Sequence, residues 1–138
     1  MSAVEILVAN VLDIQTDVLV ISANPSLLGG SGVSGVIHIS AGPELEEWAK
    51  PLGPLKPGEA LITPGFKLRA QYVVHSVCPR YLDGIRGEYE QLASAYARAL
   101  GFYDQLRNPH SVAFISMGTE FYKWPLGLAA KIAVKEFF

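Results

Sequence analysis

Apolar residues in this chain fall into runs of two kinds. Val4 to Val11 (VEILVANV) and Asp17 to Ser22 (DVLVIS) are short and rich in Val, Ile and Leu. Both predict strands, and the nearly continuous second run predicts one buried on both faces. Gly58 to Phe66, trimmed by Pro64 and Gly65, Tyr72 to Val77 (YVVHSV) and Ser111 to Ser116 (SVAFIS) predict three more. Glu88 to Leu106 differs: Tyr89, Leu92, Tyr96, Leu100, Tyr103 and Leu106 recur every three or four residues, the stripe of an amphipathic helix. Shorter helices are expected over VSGVIHISAG, from Val33 to Gly42, and from Pro125 to about Phe137. Another is expected over AGPELEEWAKPL, where Pro43 takes the first helical position and Glu44, Glu46 and Glu47 suit the positive end of the dipole. Strands alternating with helices predict an α/β fold, a largely parallel sheet covered on both sides, in one domain over residues 1–138.

Composition narrows the function. Half of the 138 residues are apolar and the mean hydropathy is +0.27, enough for one core. A net charge of -2 offers no basic field, so no nucleic-acid partner is expected. No run approaches the roughly 18 apolar residues of a membrane span, and the first residues lack the basic start of a signal peptide. The single cysteine, Cys78, lies in an apolar run and is expected to pack rather than react. Together these predict a cytoplasmic protein with no membrane partner. Three scattered histidines and one cysteine lack the spacing of metal ligands, so neither metal nor cofactor is expected.

The stretch with candidate chemistry is NPSLLGGSGVSGVIHISAGPE, Asn24 to Glu44. Its Gly30 to Gly35 reads G-x-G-x-x-G, yet Val36 and Ile37 stand where a nucleoside triphosphate loop needs Lys and Ser or Thr. A dinucleotide loop should follow its strand at once and be answered by an acid closing the next strand; here seven residues intervene, and the nearest acid, Glu59, opens a strand. What remains is the mechanism both share: small residues admit a ligand close to the backbone, and free N–H groups at a helix start favour an anion. A glycine turn without a ligand is the alternative.

Five ordered blocks, LDI (Leu12 to Ile14), ISANPSLLGGSGVSGVIHISAGPEL (Ile21 to Leu45), GEALITPGFKL (Gly58 to Leu68), YVVHSVCP (Tyr72 to Pro79) and FISMGTEFYKWP (Phe114 to Pro125), resemble the macrodomain family over nearly the whole chain. The resemblance implies a three-layer α/β/α fold with a mostly parallel, twisted central sheet, and an ADP-ribose site at its C-terminal edges. It implies that Asp13 accepts a hydrogen bond from the adenine amino group, that Ile14 offers its backbone beside the base, and that the Asn24 amide reaches the distal ribose. Gly29, Gly30, Ser31, Gly32 and Val33 correspond to a first phosphate loop, and Ser116, Met117, Gly118, Thr119 and Glu120 to a second. Phe121 or Tyr122 would wall the distal ribose. His38 and His75 fall where the family often has histidine, and are expected to be satisfied packing residues rather than catalysts.

The pattern also departs from the family. In the hydrolytic class that this chain resembles, a pair of asparagines works with an acid ten residues after the second. Here Ile21 replaces the first asparagine and Ser34 the acid, leaving Asn24 as the candidate catalytic residue. A serine cannot do a carboxylate's work of activating water. The expectation is therefore a binder of ADP-ribose or of an ADP-ribosylated protein. A hydrolase acting on ADP-ribosyl or O-acetyl-ADP-ribose esters, and an interaction module without a ligand, are the alternatives. The usual final strand is also expected to be missing, which would leave an open sheet edge or recruit a second copy as a homodimer.

Overall fold

The computed structural model describes residues 5, 8–30, 32–106, 111–115 and 124–137. Four strands, β1 (Val18–Ala23), β2 (Ala60–Pro64), β3 (Tyr72–Val77) and β4 (Val112–Phe114), form one sheet in the order β2-β3-β1-β4. β1 pairs in parallel with β3, from Val18 opposite Tyr72 to Ala23 opposite Val77, and with β4, from Val18 opposite Val112 to Val20 opposite Phe114. β2 runs antiparallel to β3. That single reversal follows from the short connection between them, where Gly65 N–H donates to the Gln71 carbonyl at 2.8 Å and Leu68 N–H to the Gly65 carbonyl at 3.0 Å. Parallel neighbours need a longer crossover.

The crossovers are helical: α1 (Gly32–Ala41) and α2 (Pro43–Ala49) between β1 and β2, and α3 (Glu88–Gln105) between β3 and β4. α4 (Leu126–Phe137) follows β4. The period-two alternation of a strand divides the core between the layers. Leu19 and Ile21 of β1 and Val73 of β3 pack with Ile37, Ala41 and Leu45 of α1 and α2. Val18 and Val20 of β1 and Val74 of β3 face the opposite way, toward Ala99 of α3. Each such fully buried Val, Leu or Ile contributes roughly 1.5–3 kcal/mol. The outcome is a three-layer α/β fold with a mostly parallel sheet, as the resemblance implies.

The strand expected over Val4 to Val11 lies partly outside the described residues, since Val4, Ile6 and Leu7 are not among them. In the run from Val4 to Val11, none of the described residues is in a strand; Val8 is fully exposed, and Val11–Asp13 form a turn of 3-10 helix. The Asn10 side chain caps this turn by accepting the Leu12 N–H at 3.0 Å. α3 starts on a second local device. Glu88, 3% exposed, accepts the N–H groups of Leu82, Asp83, Gly84 and Arg86 at 2.7–3.0 Å. Burial alone would raise its pKa, but these four donors hold it down to about 2.

Candidate functional site

The site is built where β1, an inner strand of the sheet, ends. β1 delivers Asn24 just past Ala23, and the Asn24 side chain closes the turn that follows. Its Nδ2 donates to the Leu28 carbonyl at 2.8 Å, while its Oδ1 accepts the Leu28 N–H at 3.2 Å and the Ser26 hydroxyl at 2.7 Å. The turn forces Leu27 into the left-handed region, with φ at 63°. A leucine tolerates this because its side chain is wholly buried among Ala23, Ala49, Leu55 and Leu61. Asn24 therefore spans the neck of the loop, and its Nδ2 also lies 3.6 Å from where a Cβ on Gly30 would stand. One amide hydrogen serves Leu28; the other is available to a neighbour on the Gly30 side.

Beyond the neck, Gly29 and Gly30 continue the loop and Gly32 and Val33 open α1, while Ser31 lies outside the described residues. Gly29 N–H donates to Oε1 of Glu46 on α2 at 3.2 Å. A Cβ on Gly29 would stand 3.2 Å from the His38 Cβ on α1, so this glycine is backed by both helices. Gly32 has φ at 67° and opens α1. The first turn of a helix carries N–H groups without intrahelical acceptors, and they point at whatever lies over the loop. Gly35, one turn on, lies directly under the Gly30 carbonyl.

The turn capped by Asn10 carries Asp13, and Ile14 follows it. Asp13 is exposed and Ile14 half-buried. Leu12 and Val33 pack against one core cluster, and Ile14 lines a small cavity with Leu12, Thr16, Leu19 and Ile37. The turn that carries Asp13 thus shares a face with the loop-to-helix junction. The remaining expected contacts, Ser116, Met117, Gly118, Thr119, Glu120, Phe121 and Tyr122, lie outside the described residues.

Below the loop is a buried polar cluster that the sequence reading did not foresee. His38 and His75 are both buried, their rings 6.1 Å apart. The Thr63 hydroxyl donates to the Pro64 carbonyl at 3.0 Å and lies 3.1 Å from His75 Nε2. The Thr63 hydroxyl thus stands between the Pro64 carbonyl and the ring, with donor and acceptor set by the tautomer of His75. Among the described residues, His75 Nδ1, His38 Nδ1 and the Ser34 hydroxyl then have no partner. The two histidines pack as expected but are not fully satisfied. Burial, with a small push from His38, drives the His75 pKa down to about 3. Burial also lowers that of His38, against the pull of the Glu46 charge. Both rings are neutral at pH 7.

Two positions where the family's asparagine and acid are absent take up structural roles. Ile21 is wholly buried in the core, and Ser34 offers a buried hydroxyl. Cys78 is buried and its thiol is pushed up to about 12 by burial, a packing residue as expected. Among the described residues, no group of three or more His, Cys, Asp or Glu could hold a metal ion, and no helix is long and apolar enough to cross a membrane. The sequence reading assigned Glu46 only to the helix dipole and missed its bond to Gly29, since no local pattern links residues so far apart.

Comparison with known proteins agrees with this geometry. The macro domain family matches residues 20–133. A macro domain-containing protein of Xanthomonas axonopodis pv. citri is 41% identical over 139 residues, covering 96% of this chain and 77% of that protein. The Oceanobacillus iheyensis macrodomain with ADP superposes with a TM-score of 0.84 at 35% identity, over 94% of this chain and 72% of that one. The Trypanosoma brucei macrodomain in complex with ADP-ribose superposes with a TM-score of 0.78 at 33% identity, over 91% of this chain and 51% of that one. With the family matching residues 20–133 and a relative 41% identical over 77% of its own length, the chain belongs to the macro domain family.

Proposed function

We propose that this chain binds ADP-ribose, or an ADP-ribose derivative free or attached to a protein, at the C-terminal ends of β1 and β4. The observation that carries the reading is the Asn24 neck, which holds a run of small residues over the N-terminus of α1, where backbone N–H groups attract an anion. Two structurally similar macrodomains hold ADP and ADP-ribose, which supports a diphosphate in that position. Asp13 would accept from the adenine amino group with Ile14 beside the base, and Asn24 would turn its free amide hydrogen toward the distal ribose. The family resemblance would have Ser31 serve with Gly29, Gly30, Gly32 and Val33 as the first phosphate loop and residues 116–120 as the second, with Phe121 or Tyr122 as a wall.

Binding without turnover is favoured by Ser34. A hydroxyl at that position has no carboxylate chemistry with which to activate water, and burial of its oxygen leaves it a poor nucleophile. Calorimetric titration with ADP-ribose, with AMP and NAD as comparators, tests the reading. Micromolar affinity, near -8 kcal/mol, selective for ADP-ribose is the expected result. No heat at millimolar ligand would overturn it.

A further inference from the structure

A carboxylate beside a loop meant for phosphate is an electrostatic misfit, and Glu46 places one there, 3.2 Å from the Gly29 amide nitrogen. We propose that Glu46 is a positioning residue for the glycine loop: from α2 it takes the Gly29 N–H and so fixes the start of the loop for its ligand. The inference rests on the ADP-ribose reading of the site.

The geometry separates this role from that of a competitor for the ligand. Gly29 meets His38 of α1 in its Cβ direction and Glu46 of α2 along its N–H, so its protein-facing side is already occupied. The ligand-facing side starts with Gly30, next to the Asn24 amide, and runs to the opening turn of α1. Glu46 thus holds the loop from behind. The Asn24 side chain fixes Leu28 at both its N–H and its carbonyl, and Glu46 fixes the next N–H in the chain. Two consecutive peptide groups are therefore anchored before the free glycines begin. An ionised acceptor makes the stronger bond, but its charge lies near the place where a diphosphate must come. What the loop needs from residue 46 is an oxygen at the right reach, and the negative charge is a cost to anion binding.

Glu46→Gln keeps the reach and the acceptor oxygen and removes the charge. Glu46→Asp keeps the charge and shortens the reach, and Glu46→Ala removes both. Calorimetry with ADP-ribose should show Glu46→Gln binding at least as tightly as wild type, and Glu46→Asp and Glu46→Ala at least fivefold more weakly. Glu47→Ala, at the exposed neighbouring position, should bind as wild type. In the ligand-free protein, hydrogen exchange of the Gly29 amide followed by NMR should be faster in Glu46→Asp and Glu46→Ala than in wild type or Glu46→Gln. Affinity in Glu46→Ala and Glu46→Asp equal to or tighter than wild type would overturn the proposal, since a competing carboxylate predicts that order. If wild type itself fails to bind ADP-ribose, the functional reading fails. Gly29 exchange in the ligand-free variants then decides the anchoring alone: faster exchange upholds it, and unchanged exchange overturns it. Should Glu46→Ala not fold, Glu46→Asp carries the same comparison.

Discussion

The Gly30 carbonyl lies against the α-carbon of Gly35, in the space a Cβ on residue 35 would need. The loop and the first turn of α1 therefore fit only with a glycine at 35. Gly35→Ala must push the loop away from the helix. Its expected effect is at least a tenfold loss of ADP-ribose affinity by calorimetry, together with a lower melting temperature. Gly101 in α3 supplies the control, since a Cβ there meets nothing within 4 Å. Gly101→Ala should leave affinity unchanged and stabilise the protein by up to about 1 kcal/mol.

Asn24 is tested by two substitutions, one that removes the whole amide and one that replaces only its nitrogen. Asn24→Ala deletes all three bonds at the neck of the loop. It should destabilise by about 1–3 kcal/mol, the cost of leaving part-buried backbone groups without partners, and should weaken ADP-ribose binding. Asn24→Asp retains the acceptor oxygen but sets a second oxygen against the Leu28 carbonyl. It should lose affinity as well, and chemical denaturation with calorimetry would read both effects.

The neutral histidine pair predicts a loss of stability in mild acid. Unfolded His75 takes up a proton near pH 6.5, whereas folded His75 does so only at about 3. Between those values the unfolded state binds more protons, so stability falls as the pH drops, by about 1.4 kcal/mol for each pH unit for one such group. His38, whose pKa is lowered more weakly, adds to the upper part of that window. Urea midpoints measured from pH 7 to 4 should show the decline. His75→Gln, which cannot take a proton, should flatten it.

Glu88 works in a lower range. Its folded pKa of about 2 against an ordinary value of 4.5 means that its contribution is present above pH 4.5 and disappears as the pH falls toward 2. Glu88→Gln replaces one acceptor oxygen with a donor facing N–H groups of residues 82–84 or 86. A lower melting temperature and faster amide exchange across residues 82–86 are expected at pH 7, with ADP-ribose affinity unchanged.

Legibility in the sequence followed the range of the interaction. β3 occupies the expected Tyr72–Val77, and α3 starts at the expected Glu88, because a buried strand and a long amphipathic stripe are written in neighbouring residues. The glycine loop was legible for the same reason, as was the opening of α2 at Pro43. The apolar pattern from Val4 to Val11 carries no record of the Asn10 cap, which spends a side chain on the backbone two residues on. Glu46, Glu88 and the His38–His75 pair were read too plainly. Their roles depend on which N–H, charge or ring the fold brings opposite them, and spacing along the chain does not encode that.

The parallel pairing of β1 with β3 and β4 sets the order in which the site can come into being. β1 is made before its hydrogen-bonding neighbours Tyr72–Val77 and Val112–Phe114, which emerge only after the helical crossovers. Contacts so distant in sequence cannot zip locally and form slowly. A nascent chain that has completed the glycine loop still lacks the strands that fix the end of β1, so the loop has no floor. The fold around the loop is thus complete only once β4 has left the ribosome, and a fragment ending before β3 would carry the glycine motif without its support.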